Sequence, residues 1–490
     1  MRRTKIVATL GPGSSSSEVI LEMIRAGVDV FRLNFSHGTH EEQKKRVDLI
    51  RICSENTQRI VGILADLQGP KIRTHKFVDG RVQLIRGETF ILDADLGEKE
   101  GTQERVGITY KDLPNDVKAG NILLLDDGRV ELEVVEVEGA EIRCEVLYSC
   151  ELSNNKGINL KGGGLSAPAL TDKDKKDLKA AVAMNVDYVA LSFARTAEDV
   201  NQCRELVKAE GSSAGIVTKV ERAEAIENID EIVEASDVIM VARGDLGVEM
   251  GDAELPAIQK SLIKKARDMN RVVITATQIM ESMIDSPIPT RAEVFDVANS
   301  VLDGTDAVML SGETAVGRYP AKTVQTMGRI CEHAEQQREA KVSDHRVDLV
   351  FGRVDEAIAM ATMYTANHLK MNAIASLTES GATALWMSRI SSGIPIYALT
   401  PNDNTLSRVT LYRGVYPVRA DFTNLPPEDV TLGVIDLLKS KKIVESGDRI
   451  VLTRGDMLGD TGGGTNIMKI ESVQKYMLSY FVATPLKGFL

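Results

Sequence analysis

The sequence predicts an α/β protein built around a (β/α)8 TIM barrel, with a small β-barrel domain inserted into it and a smaller C-terminal α/β domain. Two patterns support this prediction. Eight apolar, strand-like runs alternate with amphipathic helical stretches, which is typical of parallel βαβ units. A block of short, alternating strand patterns interrupts that series after the third run.

The eight apolar runs account for the predicted barrel. In chain order they are KIVATL, VDVFRLNFS, RIVGILADLQG, VDYVALSF, GIVTKVE, SDVIMVARGDLG, RVVITATQ and DAVMLSGET. Parallel strands covered by helices on both faces have such nearly continuous apolar sequences. A closed barrel of this class takes about 250 residues, and residues 1–69 together with 168–340 supply about that length.

Two further domains are predicted, one before and one after residues 168–340 of the barrel. Residues 70–167 contain runs such as RVQLIRGETFILDA, separated by glycine and aspartate turns, and are predicted to form the inserted β-barrel, the lid. Its place in a barrel loop allows it to cover the strand ends. After the predicted linker KVSDHRVDLV, residues 346–490 are predicted to form the C-terminal α/β domain, and the pattern assigns no element after about Val473.

Composition narrows the function. The 490 residues are 43% hydrophobic and 27% charged, and the net charge of −12 argues against a nucleic-acid or membrane-surface protein. No apolar run reaches the roughly 20 residues of a membrane span, and the N-terminal residues lack the long apolar region of a signal peptide. Five cysteines without a CxxC pair predict reduced thiols and a cytoplasmic location.

Polar residues collect where the predicted strands end, which is where TIM-barrel enzymes carry their chemistry. They are Arg32, Asn34, Ser36, Asp66, Lys219, Glu221, Arg243, Gly244, Asp245, Thr275, Thr277, Ser311 and Glu313. A single residue of this kind is equally consistent with a solvated rim or a salt bridge. The whole set favours function, because charge within apolar runs is costly unless it is paired or used.

The chemistry that these residues suit is phosphoryl transfer. Glu221 and Asp245, on neighbouring strands, are hard oxygen ligands for Mg²⁺. Arg32, Lys219 and Arg73 are donors for phosphate oxygens. A divalent ion with convergent cations acts by positioning and by charge neutralisation.

Motifs of other enzyme classes are absent from the sequence or misplaced in it. There is no GxxxxGK[ST], no GxGxxG behind a strand and no HExxH. The segment GSSAG fits GxSxG but precedes a strand, whereas a nucleophile elbow joins a strand to a helix. The segment GPGSSS is interpreted as the cap of the helix EVILEMI.

A second anion site is a possible interpretation of LTESGATALW. It places Thr378, Ser380, Gly381 and Thr383 between a strand and a helix, where hydroxyls and free N–H groups bind anions. An ordinary helix cap explains the same residues.

The chain resembles the pyruvate kinase family over nearly its whole length. The resemblance is carried, in the family's order, by RLNFSHG, IVTKVERAEAI, GDLGVE, ITATQIMESM and PTRAEVFDVANSVLDGTDAVMLSGETA. The segments DLQGPKIR and LSNNKGINLKGGGLS resemble the bacterial form activated by AMP or sugar monophosphates. The resemblance implies transfer of a phosphoryl group from phosphoenolpyruvate to ADP, giving pyruvate and ATP in the last step of glycolysis, by a Mg²⁺- or Mn²⁺-dependent homotetramer.

The resemblance also implies a role for each matching residue. Arg32 and Lys219 bind the substrate phosphate and act in catalysis with Thr277; Gly244, Asp245 and Thr277 contact the substrate; Glu221 and Asp245 hold Mg²⁺; Asn34, Ser36, His37, Arg73 and Lys156 contact the nucleotide; Thr378, Ser380, Gly381 and Thr383 bind a phosphorylated allosteric effector.

The stretch ADLQGPKIRT departs from the pattern of many family members. Those members require K⁺, held by residues that match Asn34, Ser36 and Asp66, and they carry glutamate where this chain has Lys71. We predict that the Lys71 ammonium takes the place of the ion and that K⁺ is dispensable.

Two other functions fit part of the sequence. An aldolase or lyase that works through a Mg²⁺ enolate would share the carboxylate pair but would not need a lid with Arg73 and Lys156. A metabolite-sensing protein without catalysis would be expected to lack Lys219, Glu221 or Asp245, and all three are present.

Overall fold

The computed structural model describes residues 1–337, 350–455 and 464–474. Two compact units divide the chain: one contains Arg2–Ala340 with Thr410–Arg413, and the other contains the remaining residues. The barrel and the lid belong to the first unit, and the C-terminal sheet belongs to the second.

The first three barrel strands alternate with two helices. The elements are β1 (Lys5–Leu10), α1 (Ser17–Ala26), β2 (Val30–Asn34), α2 (His40–Thr57) and β3 (Gly62–Asp66). Every residue of β1 and β3 is buried, as expected of parallel strands covered on both faces. The Ser16 side chain accepts the Val19 N–H at the start of α1, so the interpretation of GPGSSS as a helix cap is confirmed.

The lid strands come between β3 and the next barrel strand. They are β4 (Arg81–Leu84), β5 (Thr89–Asp93), β6 (Arg105–Gly107), β7 (Ile122–Leu125), β8 (Val130–Glu138), β9 (Glu141–Val146), β10 (Cys150–Ser153) and β11 (Ile158–Leu160), with the short helix α3 (Leu113–Asp116) before β7. A six-stranded sheet in the order β11-β7-β8-β9-β5-β6 and a two-stranded sheet of β10 and β4 pack around one hydrophobic core, separate from that of the barrel.

The second part of the barrel supplies five strands and most of the helices. The elements are α4 (Asp172–Ala183), β12 (Tyr188–Leu191), α5 (Ala197–Ala209), β13 (Gly215–Val220), α6 (Ala223–Glu227), α7 (Ile229–Ala235), β14 (Val238–Ala242), α8 (Arg243–Met250), α9 (Leu255–Asp268), β15 (Val272–Ala276), α10 (Arg291–Asp303), β16 (Ala307–Leu310), α11 (Gly312–Ala315) and α12 (Pro320–Ala334), with a 3₁₀ turn at Glu281–Ile284.

The eight barrel strands close in the order β1-β16-β15-β14-β13-β12-β3-β2, all pairs parallel. The predicted (β/α)8 barrel is therefore confirmed. One boundary differs from the sequence pattern, because the run SDVIMVARGDLG leaves the strand after Ala242 and continues as α8. The acidic Asp245 in the first turn of α8 favours this helix start through the helix dipole.

The second unit is a five-stranded sheet with helices. Its elements are α13 (Val354–Leu369), β17 (Ala373–Leu377), α14 (Ala382–Ser388), β18 (Ile396–Thr400), α15 (Asp403–Arg408), β19 (Val415–Arg419), α16 (Val430–Ser440), β20 (Arg449–Arg454) and β21 (Ile467–Ser472). The order is β19-β18-β17-β20-β21, and only the β20–β21 pair is antiparallel. This sheet confirms the predicted C-terminal α/β fold.

Parts of three sequence predictions fall outside the described residues. They are residues 341–349 of the predicted linker, residues 456–463 of the glycine-rich segment RGDMLGDTGGGTN, which was expected beside the effector loop, and the chain after residue 474. The proposed domain boundaries at residues 69/70, 167/168 and 340/346 stay predictions. Among the described helices, none is both long enough and apolar enough to cross a membrane.

Candidate active site

A buried carboxylate, Asp66, lies at the centre of the charged residues at the strand ends. It is the last residue of β3 and is 1% exposed. Arg32 Nε donates to Asp66 Oδ2 at 2.7 Å, and Lys219 Nζ lies 3.4 Å from Asp66 Oδ1. Arg32 also donates through Nη1 to the Thr9 hydroxyl at 3.0 Å. The barrel thus brings Arg32 from β2 and Lys219 from β13 to one anionic centre.

Burial and the neighbouring charges have opposite effects on the pKa values of Asp66 and Lys219. Burial alone would raise the pKa of Asp66, but Lys219 and Arg32 outweigh burial and hold the pKa below its ordinary value. Burial alone would lower the pKa of Lys219, but Asp66 and Glu221 outweigh burial and raise that pKa. Asp66 therefore stays ionised and Lys219 stays protonated at neutral pH.

Glu221 follows β13 directly and is 2% exposed. Its Oε1 lies 2.8 Å from Lys219 Nζ, and its Oε2 accepts the Phe193 N–H at 2.9 Å. The neighbouring Ser192 hydroxyl accepts from Lys219 Nζ at 2.7 Å and donates to the Leu67 carbonyl at 2.8 Å. Ser192 and Phe193 were missed by the sequence reasoning, although both directly follow the apolar run of β12.

Asp245, Gly244 and Thr277 meet at the ends of β14 and β15. The Gly244 N–H donates to Thr277 Oγ1 at 2.8 Å, and this hydroxyl donates to the Ala276 carbonyl at 2.7 Å. Thr277 has a left-handed backbone, with φ of 62°, which is uncommon outside glycine and typical of functional turns. Arg243 stabilises that turn through bonds to the carbonyls of Ala276 and Thr277.

Glu221 and Asp245 fit a divalent cation. Burial raises the pKa of Glu221; Lys219 opposes this rise, and the negative charge of Asp245 adds to it. Two carboxylates that repel one another at adjacent strand ends are the hard oxygen donors that Mg²⁺ or Mn²⁺ takes, with positions left for substrate and water. These two residues are the ones that would hold the metal.

Lys71 forms an ion pair with a carboxylate of the site. Its Nζ donates to Asp245 Oδ1 at 3.1 Å. Asp66, in contrast, pairs with Arg32 and Lys219. The predicted role of Lys71 as a substitute for K⁺ at the residues Asn34, Ser36 and Asp66 stays a prediction.

A cleft of ≈ 330 Å³ in the lid contains both cations predicted to contact the nucleotide. Arg73 Nη1 donates to the Asn155 carbonyl at 3.0 Å, and Lys156 Nζ pairs with Asp126 Oδ1 at 2.7 Å. Lys71, whose Nζ pairs with Asp245, also borders this cleft.

The segment after β2 holds the other predicted nucleotide contacts. The Ser36 N–H donates to Asn34 Oδ1 at 3.0 Å, so the two residues form one turn. Gln43, which the sequence reasoning missed, donates to the carbonyls of Asn34 and His37 at 3.0 and 2.9 Å. Gln43 is 1% exposed and fixes the shape of this turn from α2.

The predicted effector loop lies between β17 and α14 of the second unit. The Gly381 N–H donates to Thr378 Oγ1 at 2.9 Å, and the Ser380 hydroxyl accepts an N–H at the start of α14 at 3.4 Å. Thr383 Oγ1 lies 2.7 Å from Thr465 Oγ1. The loop is thus closed by its own hydroxyls, as in a helix cap, while Ser380 stays exposed.

A TIM barrel whose strand ends bring together two carboxylates, Arg32 and Lys219, beside a cleft with further cations in an inserted sheet domain, has the arrangement of a phosphotransferase. Comparison with known proteins agrees. The family model of the pyruvate kinase barrel domain matches residues 1–324, and that of the pyruvate kinase alpha/beta domain matches residues 356–471. The chain belongs to the pyruvate kinase family.

Individual relatives match along almost the whole chain. Pyruvate kinase II of Salmonella typhimurium is 54% identical over 480 residues, covering 97% of this chain and 99% of the relative. A pyruvate kinase of Buchnera aphidicola from Acyrthosiphon pisum is 52% identical over 477 residues, covering 96% and 99%. The crystal structure of a pyruvate kinase from Cryptosporidium parvum superposes with a TM-score of 0.89 at 35% identity and covers 96% of each chain.

Proposed function

We propose that the chain transfers the phosphoryl group of phosphoenolpyruvate to ADP, giving pyruvate and ATP, with the roles predicted above for its residues. The observation that carries the proposal is the position of Lys219. Its ammonium is buried among Asp66, Glu221 and Ser192, next to the carboxylates suited to a divalent cation. A charge held there neutralises a phosphoryl group, and Mg²⁺ or Mn²⁺, held by Glu221 and Asp245, would supply further charge neutralisation.

Arg32 and Lys219 bind and orient the substrate phosphate. Arg32 uses Nε for Asp66 and Nη1 for Thr9, and its other N–H groups are donors for phosphate oxygens. Because Asp66 holds both cations, they are in place before the substrate arrives and need no reorganisation during transfer.

In the transfer step, the bond between phosphorus and the enol oxygen breaks and a terminal ADP oxygen bonds to phosphorus. Lys219 stabilises the negative charge that spreads over the phosphoryl oxygens. The enolate left behind is protonated on carbon near Thr277, and this ketonisation drives the reaction towards ATP. The lid carries Arg73 and Lys156 to the nucleotide and excludes water, which would otherwise accept the phosphoryl group.

Membership of the pyruvate kinase family argues against the alternative of an aldolase or lyase that uses the same carboxylates. The lid cleft of ≈ 330 Å³ supports the kinase, because Arg73 and Lys156, which are predicted to contact the nucleotide, both line it, together with Asp126 and Asp127. A coupled assay for ATP formation from ADP and phosphoenolpyruvate separates the two. We also propose that the enzyme acts in the cytoplasm as a homotetramer, which membership of the family supports.

The first prediction concerns Lys219. Lys219→Met should lower kcat by about 100-fold or more, because it removes a preorganised charge from the transition state. Phosphoenolpyruvate binding, followed by titration calorimetry, should persist. As a control, Lys264→Met removes a lysine that pairs with Asp268 on the exposed face of α9 and should leave kcat unchanged. Normal turnover of the Lys219 variant would refute the assigned role.

We further propose that turnover does not require K⁺. Lys71 brings a fixed positive charge to the site, and its ion pair with Asp245 supports this idea. The Lys71 ammonium lies beside Asp245. In this position it balances the negative charge of the site carboxylates and of the substrate phosphates, as K⁺ would, without occupying the turn of Asn34 and Ser36.

The K⁺ prediction is tested with a charge reversal. The unmodified enzyme should turn over equally well in K⁺ and in tetramethylammonium buffers. Lys71→Glu should lose activity about 10-fold or more without K⁺ and regain part of it when K⁺ is added, because the fixed charge is gone. An unmodified enzyme that is active only with K⁺ would contradict the proposal.

We propose that a phosphorylated effector such as AMP or a sugar monophosphate binds the loop of Thr378, Ser380, Gly381 and Thr383. The exposed Ser380 hydroxyl and the N–H groups at the start of α14 support an anion here. The similarity to pyruvate kinase II of Salmonella typhimurium supports a regulated bacterial form.

The effector prediction uses Ser380→Glu. A carboxylate in the loop should repel the effector phosphate and abolish activation, while turnover without effector stays unchanged because the loop is outside the barrel. Initial rates at low phosphoenolpyruvate, with and without AMP or ribose 5-phosphate, measure the effect. As a matched control, Ser440→Glu, at the end of α16, should keep activation. Activation retained by the Ser380 variant would refute the site.

A further inference from the structure

Glu249 is a buried carboxylate that the proposed reaction does not use. It lies on α8, one helical turn after Asp245, and is 5% exposed. Its Oε1 accepts from Asn159 Nδ2 at 3.3 Å, and its Oε2 accepts the Ala223 N–H at 3.0 Å. Asn159 belongs to lid strand β11, and Ala223 follows Glu221 by two residues. One side chain therefore joins the lid to the segment that carries a metal carboxylate.

The chain leaving β11 makes further bonds to the same part of the barrel. The Gly162 N–H donates to the Glu249 carbonyl at 3.3 Å, and the Gly164 N–H donates to Glu224. Gly162, Gly163 and Gly164 all have left-handed backbones, with φ of 83°, 81° and 107°. Three such glycines in a row suit a hinge, because other residues adopt this conformation only with strain.

Arg222 forms a second link between the lid and Glu221. It is 3% exposed, its Nη1 donates to the Leu165 carbonyl at 2.9 Å, and its guanidinium lies over the Phe193 ring, 5.4 Å from the centroid. The Phe193 N–H is the donor to Glu221 Oε2. Phe193 has φ of 57°, so neighbouring groups must hold it in that conformation. The stacked Arg222 is such a group.

These groups are packed closely enough to move together. The partly open pocket lined by Asn159, Leu165, Phe193, Arg222, Glu249 and their neighbours offers ≈ 10 Å³ of space to a water-sized molecule. A space of that size holds about one water molecule at most. A shift of the chain that follows β11 would therefore change the hydrogen bonds made by Glu249 and Arg222.

We propose that Glu249 and Arg222 are positioning residues through which the position of the lid sets the affinity of Glu221 and Asp245 for a divalent cation. The proposal rests on the proposed function for the metal role of Glu221 and Asp245. Glu249 and Arg222 touch neither substrate nor metal; they fix the Glu221 carboxylate through Ala223 and Phe193. The coupling is reciprocal. A cation that binds Glu221 and Asp245 therefore favours the lid position in which the Glu221 carboxylate is held in place.

The test measures Mn²⁺ binding to the full chain by titration calorimetry, without nucleotide, so that chelation by ADP does not interfere. Asn159→Ala cuts the bond on the lid side alone and should weaken Mn²⁺ binding about three- to tenfold. Asn121→Ala is the matched control, because Asn121 bonds Lys118 within the lid; it should bind Mn²⁺ like the unmodified chain. Arg222→Lys keeps the charge but loses the stacking and should also weaken binding.

A double-substitution cycle distinguishes positioning from general loss of structure. If Asn159 acts through Glu249, Asn159→Ala should add no further loss in Mn²⁺ affinity to Glu249→Ala. In turnover assays, the Mn²⁺ concentration for half-maximal rate should rise in Asn159→Ala, while kcat at saturating Mn²⁺ stays within about twofold. Thermal melting checks that each variant is folded.

Two results would overturn the proposal: unchanged Mn²⁺ affinity in both Asn159→Ala and Arg222→Lys, or fully additive losses in the cycle. Either result leaves the kinase assignment intact if the unmodified chain still makes ATP. Failure of the unmodified chain to make ATP from ADP and phosphoenolpyruvate would instead count against the proposed function, whatever the Mn²⁺ data show.

Discussion

The carboxylate of Asp66 is the interaction on which the site depends. It lies fully inside the barrel end, and it compensates both Arg32 and Lys219 at distances of 2.7 and 3.4 Å. Without it, two cations would face one another in a buried place, which is costly. With it, they are held ready for a phosphate. The parallel barrel makes this possible because it brings residues distant in the chain to adjacent strand ends.

Around this centre, the barrel and the lid, which belong to the same unit, divide the tasks. The barrel supplies fixed charges at its strand ends, and the lid adds a cationic cleft together with Lys71 at the Asp245 side. Glu249 and Arg222 tie the returning lid strand to the Glu221 segment. The lid and the segment that carries Glu221 are thus joined by one network of hydrogen bonds.

The sequence was sufficient to predict the barrel, the sheet character of the lid and the C-terminal fold. The spacing of apolar residues and the positions of turn residues indicate these elements directly. It also predicted that Lys219 and Glu221 would share one site, since both end the same strand. Ser192 and Phe193 could not be found in this way: their roles depend on a left-handed backbone at Phe193, which leaves no periodic signal. The partner of Lys71 was missed because it depends on the path of the chain after Gly69–Pro70, where one turn decides which carboxylate is within reach.

The most direct test of this account is the effect of Asp66→Asn on kcat/KM for phosphoenolpyruvate, measured alongside thermal melting. The account predicts a folded protein in which kcat/KM falls by about 100-fold or more, because Arg32 and Lys219 lose the charge that holds them together. Asp187→Asn serves as the control and should keep kcat/KM, because Asp187 is a partly buried aspartate that bonds Arg51 and directly precedes β12, at the opposite end of that strand from the site. A folded Asp66→Asn enzyme with unchanged kcat/KM would contradict the account.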